Sequence, residues 1–481
     1  MKQVILTLYF FLFSICLFSQ SSETEKRNDA MASKVISWIN NKEAQNIYAA
    51  FDSNMKKALG KDAFFSMTET QIYPLIPFAT EKYMGQNGPS NLYLLKTAAA
   101  MWSLQVAVNK QNEIIGLYMA PAKTQTGTPV ADNGSVWHDN ALSTKLDSLV
   151  HHIALSKMQQ TITPAMSIGV LNGLKANFYN YGKTNLVDDL HPLSTTLYEI
   201  GSITKTFTAF ILADAVVNKK VSLEDPITKF LPPSVASNSD LQAISLKQLA
   251  NHSSGLPRLP SNAFEGANMA DPYVNYDTSK LFTFLKSFKA VNKPGEKYVY
   301  SNLGFGLLGV ILENIYQQPL ETLYQQIIFT PFKMKSSYSG RVKDSSVTAI
   351  GYNGKKEPTS YWNFTSMAGA GSIKSNTEDL LRYALQFTMK PRTNSKTDPR
   401  IAMLESITFQ KDYKNVSLAW HLENPGKPGQ IMNHNGGTGG FRTEIDICAD
   451  KKMAVVVLCN SGAETNASAA ASEILKQVIK E

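Results

Sequence analysis

The sequence predicts an α/β fold: an α/β sandwich with a helical lobe, preceded by a small α+β domain. Three observations lead there. Apolar strand patterns stand at both ends of residues 141–481, at 166–181 and at 442–460. The long stretch between them is dominated by helical periodicity. A separate run of helix-forming residues followed by a strand meander occupies residues 23–120, the layout of an independent α+β unit. The length of 481 residues suits two or three domains of about 150 residues each. With 43% hydrophobic and 18% charged residues the chain buries a large core, which excludes global disorder.

Residues 1–20 read as a secretory signal peptide. Lys2 supplies the positive start, Val4 to Phe18 is almost wholly apolar, and Ser19-Gln20-Ser21-Ser22 follows. The run is short of the roughly 20 residues of a full membrane span. Ile15 precedes Cys16 where a lipidation signal would carry a small residue. The expectation is a secreted or periplasmic protein with no transmembrane span in the mature chain.

Residues 23–120 open with helix-forming sequence from Ala30 to Leu59, apolar at Val35, Ile36, Ile39, Ile47, Tyr48, Phe51 and Met55. Strands follow at Asn91 to Leu95 and Trp102 to Val108. Asn109-Lys110-Gln111-Asn112 turns the chain into a strand at Glu113 to Tyr118. This pattern resembles a cystatin-like or nuclear-transport-factor-like domain. Residues 121–140 are polar, aperiodic and Pro/Gly-containing, and read as a linker.

In the second body, 141–481, Ser143 to Met158 is helical. Met166 to Asn172 and Ala176 to Tyr181 form a hairpin across Gly173-Leu174. Helices are expected near 203–217, 245–251, 277–287, 303–316 and 376–388, and strands at 417–422, 442–448 and 453–460. Ala467 to Lys480 is the last helix, with Asn466 at its N-cap. In a 442–460 hairpin Cys448 faces about Met453 and Cys459 lies far along the partner strand, too distant to bridge, so both read as buried free thiols. No Cys/His spacing suits zinc and no G-x-G-x-x-G follows a strand, so neither metal nor cofactor is expected. The net charge of +8 is scattered, with only pairs such as Lys219-Lys220 and Lys451-Lys452, which reads as solvated surface and not as a nucleic-acid groove.

The chemistry begins at Gly201-Ser202-Ile203-Thr204-Lys205. A serine hydroxyl is a weak nucleophile without a base in hydrogen-bond reach. On a helix, residues three apart share a face, so Lys205 sits beside Ser202. A second S-x-x-K, Ser53-Asn54-Met55-Lys56, has no partner motifs and reads as chance. Tyr300-Ser301-Asn302 follows Pro294-Gly295 and precedes a helix. The phenol can relay a proton and the amide can hold a substrate carbonyl. Tyr273-Val274-Asn275, Tyr361-Trp362-Asn363 and Tyr413-Lys414-Asn415 share that spacing and read as core or loop aromatics. The third element is His434-Asn435-Gly436-Gly437, just before the 442–448 strand, on an edge strand lining a cleft.

These three elements, in this order, resemble the serine β-lactamase and penicillin-binding-protein superfamily, in the branch of class C β-lactamases with their esterase and D-peptidase relatives. His252-Ser253-Ser254-Gly255-Leu256-Pro257 and Met367-Ala368-Gly369-Ala370-Gly371 are similar to two further signatures of that branch. The resemblance covers nearly all of the second body. It implies that Ser202 is acylated and that Lys205 and Tyr300 share the acid–base work. Asn302 would orient Lys205 and the substrate amide, His434 would complete the catalytic set, and the backbone N–H groups of Ser202 and Gly437 would form the oxyanion hole. His252, Tyr298 and Trp420 read as structural. One departure stands out: where β-lactamases carry K-T-G, this chain has His434-Asn435-Gly436. Histidine is short and mostly neutral near pH 7, which argues against efficient β-lactam hydrolysis and for the esterase and D-aminopeptidase side. The expected activity is that of a secreted serine hydrolase acting on an ester or a D-amino-acid amide, including peptidoglycan-derived peptides. The alternatives are a β-lactamase and a non-catalytic protein that binds peptidoglycan or a partner.

Overall fold

The computed structural model describes residues 22–87, 90–97, 101–121, 136–389, 398–411, 413–463 and 465–480. The signal peptide expected at 1–20 and most of the linker expected at 121–140 lie outside the described residues. The chain divides into two compact units between Thr128 and Pro129.

The first unit places helices Ser22–Asn40, Ala44–Ala50, Ser53–Leu59 and Lys61–Met67 against a four-stranded antiparallel sheet. Its strands, Ala79–Asn87, Ser90–Lys96, Met101–Val108 and Ile114–Pro121, run in sequence order. Val35, Ile39, Ile47, Phe51 and Phe64 meet Leu95, Leu104, Val106 and Ile114 in one core. The sequence reading missed the first strand. It is an edge strand with two register shifts, and its Thr80-Glu81-Lys82 start breaks the apolar alternation. The second S-x-x-K lies here, and Lys56 Nζ donates to the Ala49 carbonyl at 2.9 Å, not to Ser53.

The second unit is built on an eight-stranded antiparallel sheet in the order 409–411, 414–416, 421–423, 431–437, 442–448, 453–459, 165–172, 175–182. The strand Met453–Cys459 pairs with Ala165–Asn172, so the beginning and end of the unit lie side by side. Both central strands are buried on both faces, and the strict alternation splits them between two cores. Met166, Ile168, Val170, Val455 and Val457 face helices Lys145–Gln159 and Ala467–Lys480. Leu171, Ala454, Val456 and Leu458 face the other side, toward the Thr377–Thr388 helix and the helical lobe. Helix Lys145–Gln159 starts two residues after the expected Ser143, at a reciprocal cap between Thr144 and Asp147. Cys448 stands opposite Met453 and Cys459 opposite Arg442, and both are buried and outside any disulfide.

One expected strand is corrected. Residues 417–422 are not a single strand: Lys414–Val416 and His421–Glu423 are separate strands joined by a tight turn. Ser417 N–H donates to the Trp420 carbonyl at 3.0 Å, and Ala419 adopts φ +69°. Burial of the Trp420 ring against Tyr383 and Phe387 draws the chain into this reversal.

The helical lobe holds a helix, Thr204–Val217, whose residues from Thr204 to Ala215 are all buried. The helix Asn302–Tyr316 runs beside it, capped by Ser301 Oγ, which accepts from Gly304 N–H at 2.8 Å. The short turn Ala368–Gly371 packs directly on that helix, because a Cβ at Gly369 would lie 2.4 Å from the Phe305 carbonyl oxygen. Below it, a three-stranded sheet pairs Glu199 with Lys374. Their charges meet at 3.5 Å with both side chains 1% exposed. Burial pushes the Glu199 carboxyl up and the Lys374 amine down, each toward its neutral form. The pair grips Trp362 from both sides: Glu199 Oε1 accepts from Trp362 N–H at 2.7 Å, and Lys374 Nζ donates to its carbonyl at 3.0 Å.

Replacing one member of a buried pair strands the other. Lys374→Met is expected to cost about 3–5 kcal/mol, read as a fall in the urea midpoint. Glu199→Leu combined with Lys374→Met should lose clearly less. Equal losses in the single and double variants would count against the pair as the source.

Candidate active site

The site forms where the sheet meets the helical lobe. Residues Gly201–Ile203 make a 3₁₀ turn that leads straight into the Thr204–Val217 helix, which sets Lys205 one turn beyond Ser202. Gly201 has φ +51°, and a Cβ there would stand 2.6 Å from Gly437 N. Only glycine lets the end of the Ile431–Gly437 strand close against the Ser202 turn. Thr443 Oγ1 donates to the Ile200 carbonyl at 3.0 Å and ties the neighbouring strand to the same turn.

Lys205 is fully buried. Its Nζ donates to Ser202 Oγ at 2.8 Å and to the Ala370 carbonyl at 2.7 Å. It lies 5.0 Å from the Tyr300 ring centroid and 5.8 Å from that of Phe305. Burial, with the Arg258 guanidinium as a second cause, holds the amine well below the ordinary lysine range. Burial pushes the Tyr300 phenol up to about 12, against a smaller lowering by the nearby Ser202 hydroxyl. Near neutral pH the site therefore presents a phenol and a readily deprotonated amine, the amine touching the Ser202 hydroxyl.

The Tyr300 loop is held by His252. Its Nδ1 accepts from Ser301 N–H at 3.0 Å and its carbonyl accepts from Val299 N–H at 2.8 Å. The His252 residue takes φ +62° in a buried turn, and its ring lies 4.3 Å from that of Tyr300. The cleft beside Ser202 is walled by Tyr273, Asn302, Trp362, Phe364, Met367 and Gly437. Tyr273 stacks on Phe364 at 5.1 Å. Asp271 clamps that wall by accepting from Asn363 N–H and Asn363 Nδ2, both at 2.7 Å. Among the described residues no group of His, Cys, Asp and Glu could hold a metal ion.

A family model described as Beta-lactamase matches residues 152–478. The chain belongs to the beta-lactamase family. A beta-lactamase of Pseudomonas fluorescens is 28% identical over 336 residues, 63% of this chain and 90% of that protein. The D-alanyl-D-alanine-carboxypeptidase/endopeptidase AmpH of Escherichia coli K12 is 26% identical over 307 residues, 61% of this chain and 78% of its own. Among solved structures, one described as a class C beta-lactamase superposes with a TM-score of 0.62 at 26% identity, covering 69% of this chain and 96% of that one. A beta-lactamase/D-alanine carboxypeptidase from Pseudomonas syringae gives the same TM-score at 25% identity and covers 99% of its own chain. This member of the beta-lactamase family is a serine hydrolase.

Ser202, Lys205, Tyr300, Asn302 and Gly437 come together as the sequence expects, with two corrections. Asn302 does not orient Lys205. Its Oδ1 is buried without a hydrogen-bond partner, and Lys205 is held by the Ala370 carbonyl instead. The His434 side chain does not line the cleft, although Gly437 at the end of the same strand does. Its strand is flanked on both sides only along Ile431–Asn433; from His434 to Gly437 it pairs with Arg442–Ile445 alone, an edge as expected, and the alternation turns His434 and Gly436 inward while Asn435 and Gly437 face out. The imidazole is fully buried, 6.4 Å from Tyr300 and 5.6 Å from His421. Burial holds it well below the usual histidine range, so it is neutral.

Sequence reasoning missed the Ala370 carbonyl, the Glu199–Lys374 pair and Arg258. It also dismissed Tyr273 and Trp362, which wall the cleft. Their Y-x-N spacing drew attention to them, but what they do depends on two loops meeting, which no local pattern encodes.

Gly201→Ala forces apart the nucleophile turn and the Gly437 strand end. Labelling of Ser202 by a fluorophosphonate should slow by about 100-fold, the scale of losing one oxyanion donor. A rate within threefold of the parent protein would show that the close approach is dispensable.

Proposed function

We propose that this serine hydrolase cleaves an ester or a D-amino-acid amide or peptide bond through an acyl-enzyme on Ser202. The observation that carries the reading is the fully buried Lys205 amine 2.8 Å from Ser202 Oγ. As a neutral amine it keeps one N–H on the Ala370 carbonyl and turns its lone pair to the serine proton. Ser202 Oγ bonds to the substrate carbonyl carbon as its proton passes to Lys205. The backbone N–H groups of Ser202 and Gly437 receive the oxyanion. Tyr300, a phenol in the resting enzyme, gives its proton to the departing nitrogen or oxygen and regains one from the Lys205 ammonium. Water then reverses the sequence and frees the acid. Asn302 Oδ1, buried and unpartnered beside Ser202, accepts a substrate N–H. His434 acts through Tyr300, as a neutral packing partner.

The name of the AmpH relative supports a D-alanyl peptide, and peptidoglycan fragments are the natural source of such bonds. The relatives named beta-lactamase favour a second reading, β-lactam hydrolysis. The neutral His434 weighs against it, since no permanent cation stands at that position. The leader at 1–20 supports a secreted or periplasmic location. Among the described residues no helix is long and apolar enough to cross a membrane.

Intact-mass spectrometry with a fluorophosphonate and with benzylpenicillin tests the mechanism. Both reagents are expected to add to the parent protein and neither to Ser202→Ala. A lasting penicillin adduct fits a D-peptide substrate, a fluorophosphonate adduct alone fits an esterase, and rapid penicillin turnover fits a β-lactamase. No adduct with either reagent defeats the acyl-enzyme and leaves a binding protein.

The pH profile gives a second test. Lys205 must be neutral to accept the serine proton, so activity is full above its depressed pKa and is lost as pH falls through it. The acid limb of kcat/KM should fall about tenfold per pH unit once below that value. Lys205→Arg, charged at every accessible pH, should lower kcat/KM by about 10³-fold or more.

A further inference from the structure

We propose that Arg258 is the cation that selects substrates carrying a free carboxylate on the leaving group; this rests on the acyl-enzyme reading above. The geometry starts from the Tyr300 ring. The guanidinium carbon of Arg258 lies 5.0 Å from that ring centroid, and the Lys205 amine that donates to Ser202 Oγ lies 5.0 Å from the same centroid. One aromatic ring thus neighbours both a permanent cation and the amine beside Ser202. Tyr300 is the proton donor to the departing atom, so the leaving fragment passes this ring and comes within reach of Arg258.

The backbone around Arg258 is fixed. Its carbonyl accepts from Asn302 N–H at 2.9 Å and from Leu303 N–H at 3.3 Å, at the start of the Asn302–Tyr316 helix. Its side chain is exposed, and among the described residues the guanidinium has no salt bridge and no side-chain hydrogen bond. The other cations near the cleft are engaged. Lys374 is buried on Glu199. Arg442 Nη1 donates to the Thr438 and Phe441 carbonyls at 2.8 and 2.9 Å. Lys205 is committed to Ser202 and Ala370. Arg258 therefore stands as an open, planar, always charged donor fork of the kind that matches a carboxylate in two parallel hydrogen bonds. It restores to the site the positive charge that His434 does not supply, from the opposite side of Tyr300's loop in sequence.

Two substrates test this: the benzoylglycyl ester of lactic acid, whose leaving group bears a carboxylate, and the same ester with that carboxyl as a primary amide. The parent enzyme should prefer the acid, mainly through KM. Arg258→Gln should lower the acid-to-amide ratio of kcat/KM at least tenfold, and Arg258→Lys should restore part of it. High salt should erode the ratio in the parent and not in Arg258→Gln. Because Arg258 also bears on Lys205, both substrates can slow in the variant, and the ratio removes that common effect. If the parent cleaves both esters with a ratio that Arg258→Gln leaves unaltered, Arg258 does not select the carboxylate. If the parent cleaves neither ester and takes no fluorophosphonate, the acyl-enzyme reading itself fails.

Discussion

An amine enclosed on all sides by protein is an expensive group to keep charged, and the chemistry of this molecule depends on that expense. Lys205 sits in a helix with no solvent face, under Tyr300 and Phe305, and among the described residues its hydrogen-bond partners are Ser202 and the Ala370 carbonyl. A surface lysine would be an ammonium near neutral pH and useless as a base. Removing water makes the neutral form accessible, and the second positive charge of Arg258 pushes the same way. The surrounding architecture protects this dryness. The turn at Ala368–Gly371 closes over the helix, and the absence of a side chain at Gly369 lets it come near enough for Ala370 to reach the amine.

The supports of the site are themselves buried polar devices. Glu199 and Lys374 fix Trp362 through its backbone on both sides. Asp271 fixes the next residue, Asn363, so an aromatic wall made from two separate loops keeps one shape. His252 holds the Tyr300 loop through its ring and its carbonyl. Each is an arrangement in which removing one partner leaves another buried and unsatisfied. That is how precise placement is obtained from loops, which otherwise offer little rigidity.

Much of this was legible in the sequence. Elements with a strong period were read nearly to the residue: the Ala467–Lys480 helix, the hairpin across Gly173-Leu174 and the Cys448–Met453 register. Ser202, Lys205 and Tyr300 could be found because helical spacing and a local motif are one-dimensional facts. The failures have a common cause. The strand Ala79–Asn87 is polar at its start because it lies at a sheet edge, and the reversal at Ser417–Trp420 is imposed by a tryptophan finding its core. Asn302 was assigned to Lys205 because its motif suggested a neighbour, but the amine is held by a carbonyl 165 residues along the chain. His434 was placed at the cleft surface because its strand was taken for an edge. The strand does become an edge at His434, but the direction its side chain takes, into the core, is a tertiary fact.

The sheet order bears on how the molecule comes into being. The strand Ala165–Asn172 is completed on one side by Met453–Cys459, and the final helix seals the face they share. During synthesis nearly the whole helical lobe emerges while that early hairpin still presents a bare edge. Such an edge invites pairing with other chains, and closing so long a loop is a slow event. The Ile431–Gly437 strand, which brings Gly437 to the nucleophile, joins this sheet through the same late strands. A nascent chain therefore cannot bring Gly437 against the Ser202 turn until these late strands have been made, which would keep the proposed nucleophile out of play during synthesis.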